Sequence, residues 1–489
     1  MTTETLPIYH MWLAGEEKAG LEADLLPIED PATGQVFAHC HSASAQDVET
    51  AITTAHETFK SGIWSRASRH HRADILDKCA TLLSDCLPEL IKLEVRQTGR
   101  VIKEMQAQVP SLIRWFKYYA SLLRVEERPV LPTMGKLHNF IDRVPLGVVI
   151  QITPFNHPLL IAVKKIAPAL AAGNSVILKP SELTPLTSIL LGKILAQAGI
   201  PAGVFSVLPG LGATTGKALV SHGLAPLVVF DDADLDVAVN GIAFGSFIAS
   251  GQTCIASTRI IVHSKIQEQV LQKLRVKIEG IRRRIGSPSN IKSVMGPLVS
   301  EKQLLHVERV VEQSLASDDA VALTGAKRMT GTSLLDNTDL SAGYFYEPTI
   351  LVSADGNKSI TRTAIWREEA FGPVIVVVAF DNEADAIALA NDTEFGLGAS
   401  IWTQNLSRAF RVSEQIEAGI VWVNTHHRND PSSPWGGAKS ASGVGSENGL
   451  DAYHAYTTTK STIINYAPSK ESMTTDDWFG EEARNARYG

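Results

Sequence analysis

Apolar residues recur along this chain with two different periods, and the places where the period changes divide it into regions. Residues 1–42 read as short extended pieces and turns, with Glu29-Asp30-Pro31-Ala32-Thr33-Gly34-Gln35 as a turn between two of them. At Ser44 the period becomes helical. Ser44-Ala45-Gln46-Asp47 has the spacing of a capping box, and Val48, Ala51, Ile52, Ala55 and Phe59 then fall on one face. Further helical periodicity covers residues 66–122. Residues 128–145 carry Pro129, Pro132 and Gly135 ahead of the apolar Leu137, Phe140 and Ile141, which predicts an extended hairpin leaving the main body.

From Leu146 strands and helices alternate. Apolar strands at 147–150, 175–178 and 204–208 are separated by helices over 159–172 and 185–198. A second series runs through a strand at 259–262, helices over 264–279 and 300–316, a strand at 374–380 and a helix over 383–391. Such alternation predicts parallel βαβ units in doubly wound sheets, an α/β fold whose nucleotide sites lie beyond the carboxyl ends of the strands. A last strand, 461–465, precedes a polar tail, 468–489, expected to be mobile apart from Trp478 and Phe479.

The bulk composition narrows the function classes. At 489 residues, 44% hydrophobic and 20% charged, the chain reads as an ordinary globular protein of about three domains. A net charge of -7 offers no general attraction to nucleic acid or anionic lipid. The basic run Arg282-Arg283-Arg284 follows Ile266, Val270, Leu274, Ile278 and Ile281 at helical spacing and reads as a solvated helix end. Cys40, Cys79, Cys86 and Cys254 lack the spacing of a disulfide framework or a zinc site, so no metal is expected and a reducing compartment fits. Without a signal-like N-terminus, a long apolar run or a peroxisomal or ER-retention ending, a cytoplasmic location is the expectation.

Candidate chemistry centres on Gly251-Gln252-Thr253-Cys254. A lone cysteine usually reads as a small buried hydrophobe. Here the flanking glycine lets the backbone approach a ligand closely, and the N–H groups of Thr253 and Cys254 suit an oxygen that develops negative charge. Asn156 by itself is a turn former ahead of Pro158, and Lys179 with Glu182 an ordinary solvated pair.

Five motifs in order change these readings: Pro154-Phe155-Asn156-His157-Pro158, Lys179-Pro180-Ser181-Glu182, Gly251-Gln252-Thr253-Cys254, Glu368-Glu369-Ala370-Phe371-Gly372-Pro373 and Pro434-Trp435-Gly436-Gly437-Ala438-Lys439. Together, over nearly the whole chain, they resemble the NAD(P)-dependent aldehyde dehydrogenase superfamily. The resemblance implies two doubly wound parallel-sheet domains with a small β oligomerisation element. Residues 1–127 and 146–223 would be an incomplete NAD-binding domain and 224–443 the catalytic domain. Residues 128–145 and 459–469 would form the oligomerisation element of a homodimer or homotetramer, and 470–489 the tail. It also implies oxidation of a small-molecule aldehyde to a carboxylic acid with NAD as cofactor. Cys254 would be the nucleophile and Asn156 the oxyanion donor. Lys179, Ser181 and Glu182 would bind the adenosine ribose, and a carboxylate at Glu182 favours NAD over NADP. Gly212, in the glycine-rich turn 210–216, would lie beside the adenine. Glu369 and Phe371 would hold the nicotinamide ribose and ring. Substrate contacts are expected from Phe155, Phe247, Trp422, Trp435 and the loop 426–430, with Arg428 and the aromatic residues pointing to an aromatic or carboxylate-bearing aldehyde; a core role for each aromatic and a surface loop at 426–430 are the plain alternatives.

The chain departs from the family at one place. Between His222 and the strand starting at Ala225 only Gly223 and Leu224 intervene, where family members carry a strand, a helix facing the pyrophosphate and the strand that ends in the general-base glutamate. A block of about thirty to forty residues, one βαβ unit, is expected to be missing. Weaker cofactor binding, stalled deacylation and exposed apolar sheet faces would follow. This leaves a catalytically impaired or non-catalytic homologue, an oligomeric binding or scaffold protein, as the alternative to a working enzyme, and an exon omitted at His222–Gly223 as a third possibility. Near Lys439, Ser446 stands where an arginine is expected.

Overall fold

The computed structural model describes residues 5–21, 24–133, 135–211, 225–356, 358–443 and 445–475. Gly212, the predicted helix 213–221, the His222–Gly223 junction and the end of the tail lie outside the described residues.

The first region joins an N-terminal hairpin, β1 (Met11–Leu13) and β2 (Glu16–Lys18), to four long helices. These are α1 (Ala45–Ser61), α2 (Arg69–Asp85), α3 (Leu87–Thr98) and α4 (Ile113–Val125). The capping box forms as read: the Asp47 N–H donates to Ser44 Oγ at 3.2 Å and the Ser44 N–H to Asp47 Oδ2 at 2.9 Å. After β3 (Leu137–Pro145) come β4 (Val148–Ile152), α5 (Pro158–Ala172), β5 (Ser175–Lys179), α6 (Leu186–Ala198) and β6 (Phe205–Val207). Helix α5 starts with Pro158 at a position that has no N–H to satisfy, and stops at Gly173, whose φ of 93° is readily adopted only without a Cβ.

The first sheet has the order β2-β1-β6-β5-β4, with β4, β5 and β6 parallel and β1 antiparallel to β6. The expected exposure of apolar sheet faces is not seen here. Strands β5 and β6 are fully buried, because the hairpin extends the sheet beyond β6 and Trp12 packs over Gly192 of α6, where a Cβ would come within 2.4 Å of the indole. Buried Glu94 of α3 ties the layers by accepting hydrogen bonds from Gln97 at 2.9 Å and from Thr187 of α6 at 2.8 Å.

The second region is built on a seven-stranded sheet. Its elements are β7 (Ala225–Val229), α7 (Leu235–Phe247), β8 (Ser257–His263), α8 (Gln267–Arg282), α9 (Glu301–Leu315) and β9 (Ala320–Thr324). They continue with β10 (Thr349–Ser353), β11 (Val374–Phe380), α10 (Glu383–Asn391), β12 (Gly398–Trp402), α11 (Leu406–Gln415) and β13 (Ile420–Val423). The order is β9-β10-β11-β8-β7-β12-β13, parallel throughout except for the β9–β10 pair. Strands β9, β10 and β12 were not read from the sequence: they are short, and β9 sits at an edge with mixed burial.

The chain then returns to the first region through α12 (Gly449–Ala455) and β14 (Thr457–Asn465). Trp115 Nε1 donates to Asn448 Oδ1 at 2.9 Å, and β14 pairs antiparallel with β3 along its whole length, so the strand read at 461–465 is longer at its start. No helix among the described residues is long and apolar enough to cross a membrane.

Candidate active site

The loop carrying Cys254 leaves α7 and enters β8, a strand paired on both sides. Its backbone is unusual. Ala249 and Ser250 take left-handed φ values of 51° and 55°, and Gly251 follows at 75°. A Cβ on Gly251 would stand 2.1 Å from the Gly372 carbonyl oxygen, so this glycine allows the 368–373 segment to lie against the cysteine loop. Four side chains fix the loop: Ser250 Oγ donates to the Gly296 carbonyl at 2.8 Å, and Gln252 Oε1 accepts from the Val299 N–H at 3.1 Å. Glu104 Oε1 accepts from the Ala249 N–H at 3.0 Å, and Asn156 Nδ2 donates to the Gln252 carbonyl at 2.8 Å.

Cys254 keeps part of its surface open and packs against Ile255, Trp422 and Trp435. Burial pushes its thiol up to about 12; the Lys164 ammonium opposes the rise, and the carboxylates of Glu369 and Glu447 add to it. Asn156 thus sits beside the thiol loop as the sequence implied. His157, which the sequence reading passed over, is fixed between Thr253 Oγ1 at 3.1 Å and Arg100 Nη1 at 2.7 Å. Burial, then the charge of Arg100, lowers its pKa well below the ordinary range, so it is a neutral imidazole.

The other predicted residues lie at the end of β5 and in the 368–373 segment. Lys179 ends β5 and lies 3.6 Å from Glu182, with the lysine buried and the carboxylate half-buried. Ser181 is buried, and its hydroxyl accepts from the Leu183 N–H at 3.3 Å. The Phe371 ring meets Phe155 edge-on at 5.8 Å, and the Phe155 carbonyl accepts from Thr184 Oγ1 at 3.3 Å, which connects the 179–184 turn to the 368–373 segment. Gly212 lies outside the described residues. Among the described residues no cluster of three His, Cys, Asp or Glu side chains is arranged to hold a metal ion.

Three expectations about the substrate side change. Phe247 is a core residue, packed with the aliphatic side chains of β7, β8 and α8. Arg428 is exposed; the inward partner of its segment is its own carbonyl, which accepts from Trp422 Nε1 at 3.1 Å. The pair His426-His427 is not a solvated loop: His426 is buried against Trp422 and near the Ile255 carbonyl at 2.9 Å, and His427 lies 6.3 Å from His157 and 6.0 Å from Phe244, ring to ring. Burial depresses both, to about 4 for His426 and about 3 for His427.

The largest omission is a charge cluster. Lys164 and Lys165 of α5 clasp the two oxygens of Glu447, each at 2.8 Å, and Lys164 also lies under the Trp435 ring at 3.9 Å. The two ammonium groups hold the Glu447 carboxyl well below the usual range despite its burial. A signal existed in the sequence: Lys164-Lys165 interrupts an otherwise apolar helix.

The profile described as "Aldehyde dehydrogenase family" matches residues 19–224 and 222–462. The chain is 36% identical to a peroxisomal aminoaldehyde dehydrogenase of Pisum sativum, over 92% of this chain and 94% of that one. It is also 36% identical to a phenylacetaldehyde dehydrogenase of Pseudomonas fluorescens, over 94% and 97%. Among solved structures, a betaine aldehyde dehydrogenase of Staphylococcus aureus in complex with NAD+ superposes with a TM-score of 0.88 at 30% identity, covering 97% of each chain. With an α/β fold of parallel sheets, the Cys254 loop set against Asn156, and these relatives along almost its full length, the chain belongs to the aldehyde dehydrogenase family.

Proposed function

We propose that this chain carries out the acylating half of aldehyde oxidation at Cys254 and is impaired in the hydrolytic half. The observation that carries the reading is the hydrogen bond from Asn156 to the Gln252 carbonyl, which sets a neutral amide beside the nucleophile's loop. In the reaction, the Cys254 thiol gives its proton to solvent and its sulfur bonds to the aldehyde carbon as the carbon–oxygen π bond opens. The carbonyl oxygen becomes an oxyanion, held by the Asn156 amide and the Cys254 N–H. Neutral donors suit this step because they leave the oxyanion enough charge to drive the C–H bond open.

The residues fit NAD on a point of geometry. Lys179 is buried at the carboxyl end of a parallel strand with only a long ion pair to Glu182, so donors remain for ribose hydroxyls, and the Glu182 carboxylate would repel a 2′-phosphate. Glu369 and Phe371, beside Cys254, would hold the nicotinamide end. When bound, NAD supplies the acceptor for the hydride released as the thioester forms.

Hydrolysis of that thioester needs a base, and we infer that the family's base is among the residues this chain lacks. The profile match breaks at residues 222–224, and the alignment to the Pisum sativum relative runs over 492 positions. Since 92% of 489 residues is about 450, about 42 of those positions face no residue of this chain. The remaining carboxylate of the cluster, Glu447, is a weak base because two lysines hold it ionised. The unpaired cysteines fit a reducing, cytoplasmic setting. Exposed Ile463 and Ile464 on β14 and Val130 beside β3 fit a homodimer or homotetramer joined through that sheet.

Incubation with p-nitrophenyl acetate, followed by intact-mass spectrometry, tests this reading. An acyl adduct on Cys254 with little turnover is expected; failure of any adduct to form on folded protein overturns it. The second reading, a scaffold without catalysis, draws on the raised thiol of Cys254 and the missing block. It predicts no saturable NAD binding by calorimetry and no adduct.

A further inference from the structure

Arg100 stands just before the short helix Ile102–Gln108 and is buried, yet none of the five sequence motifs contains it. Its guanidinium reaches in two directions. Nε donates to Glu104 Oε2 at 3.1 Å, and the other Glu104 oxygen, Oε1, accepts from the Ala249 N–H at 3.0 Å. Nη1 donates to Gln108 Oε1 at 2.9 Å and to His157 Nδ1 at 2.7 Å. On the far edge of the ring, His157 Nε2 meets Thr253 Oγ1 at 3.1 Å.

The donors decide where the imidazole proton lies. A guanidinium has no acceptor, so His157 Nδ1 must present its lone pair to Arg100. The Gln108 amide, oriented by the bond to its oxygen, brings a second donor to the same nitrogen at 3.2 Å. The hydrogen of the neutral imidazole is therefore on Nε2, and it is donated to the Thr253 hydroxyl.

Ala249 and Thr253 are the two ends of the loop that leads to the thiol. Between them the backbone is held in a costly shape, with Ala249 and Ser250 in the left-handed region at φ values of 51° and 55°. Such residues persist only where their surroundings over-determine them, and one buried cation reaching both ends of the loop contributes to that. The same imidazole follows Asn156, whose amide donates to the Gln252 carbonyl at 2.8 Å. Nucleophile loop and oxyanion donor are thus tied to one guanidinium, whose planar fork fixes the directions of both branches; a lysine ammonium would keep the charge and lose the fork.

We propose that Arg100 is the positioning residue of the Cys254 site: through Glu104 at Ala249 and through His157 at Thr253 it holds both ends of the loop and sets the Cys254 N–H and the Asn156 amide about one oxyanion. The inference rests on Cys254 being the nucleophile and Asn156 the oxyanion donor. It adds that their registration is carried by a residue that acts only through its neighbours.

Two reagents separate this role from a merely structural one on the full chain. With p-nitrophenyl acetate the Cys254 sulfur bonds to the ester carbon, the carbonyl π electrons move to oxygen, and p-nitrophenolate leaves as the oxyanion collapses to the thioester. With iodoacetamide the same thiolate displaces iodide, and no oxyanion forms. The ratio of acylation to alkylation at Cys254, read by mass spectrometry, cancels thiol pKa and folded fraction and reports the oxyanion geometry. Arg100→Lys, His157→Phe and Thr253→Val are each expected to lower that ratio about tenfold. His157→Phe combined with Thr253→Val is expected to fall no further than either alone, because both remove one hydrogen bond. Thr253→Val leaves the Arg100 cluster whole, which keeps the question decidable where Arg100→Lys folds poorly. An unchanged ratio in Thr253→Val or in folded Arg100→Lys overturns the inference and leaves the nucleophile intact. An equal drop in both reactions, or a double variant whose losses multiply to about a hundredfold, does the same. Wild-type protein labelled at Cys254 by neither reagent, or by iodoacetamide alone, removes the proposed function and this inference with it.

Discussion

The two sheets of this protein differ in size and in which of the candidate site residues they carry. The seven-stranded sheet buries β8 between parallel neighbours on both sides and delivers Cys254 at its entrance and the 368–373 segment beside it. Among the described residues the other sheet has three parallel strands, finished by an antiparallel hairpin, and its predicted nucleotide residues sit at the end of β5. The partners that fix the cysteine loop are Gly296, Val299, Glu104 and Asn156, all within described, buried structure. The hydrogen bonds that hold the cysteine loop therefore all lie within the described residues. The difference teaches that, on the proposed reading, attack by the thiol and completion of the cycle draw on different parts of the chain.

Four measurements sharpen or break that separation, taken from the largest expected effect down. Cys254→Ala is expected to abolish acylation by p-nitrophenyl acetate outright; residual labelling at another cysteine would move the chemistry away from the seven-stranded sheet. Glu447→Gln leaves buried Lys164 and half-buried Lys165 without a counter-charge and is expected to lower stability by about 3 kcal/mol in urea unfolding, since removing one partner of a buried pair strands the other. A loss below about 1 kcal/mol would show that the cluster holds little of the fold together. Asn156→Ala is expected to slow acylation by about 10²–10³-fold, the usual effect of one oxyanion donor, with the alkylation rate of Cys254 changing far less. Lys179→Ala is expected to weaken NAD binding about tenfold by calorimetry, the loss of one buried donor at the carboxyl end of β5. An equal loss of ester acylation in this last variant would break the comparison, because it would tie the two sheets together.

Acidity acts on the site as a whole. His157, His426 and His427 are neutral in the folded protein and their pKa values are depressed, to about 4 for His426 and about 3 for His427. The unfolded chain binds protons below the ordinary histidine value of about 6.5, so stability is fully present above that pH and falls as pH drops, by up to about 1.4 kcal/mol per pH unit for each histidine. Glu447, also depressed, adds a loss of the same sign below about 4.3. Urea midpoints at pH 7.5 and 5 check this, and equal midpoints would place the histidines in solvent. The thiol of Cys254 moves in the opposite range: iodoacetamide labelling is expected to rise about tenfold per pH unit above neutrality up to about 12.

The alternation of strands and helices was legible because buried parallel strands such as Ser175–Lys179 and Val374–Phe380 are continuous apolar runs. Ala320–Thr324 is also a short apolar run, but it lies at the sheet's edge with Val321 and Ala322 exposed, and its sequence alone does not separate it from a helix segment. In the site, Cys254 and Asn156 could be found because each stands in one of the five motifs that together resemble the family; alone, each has a plain structural reading. The pairing of Lys164 with Glu447 could not be found, since it joins residues 283 positions apart (447 minus 164), although the charged Lys164-Lys165 in an apolar helix was a hint. Arg428 was misplaced for the complementary reason: a charge in a polar loop carries no information about which way the loop faces.

The most direct test of the central claim is the lifetime of the acyl group on Cys254 after a pulse of p-nitrophenyl acetate, followed by intact-mass spectrometry. A single adduct, absent in Cys254→Ala and persisting long after the free ester is removed, is the predicted result. Rapid loss of the adduct with steady release of acetate would contradict the account, because it would require a base that acts on the thioester in place of the one assigned to the missing block.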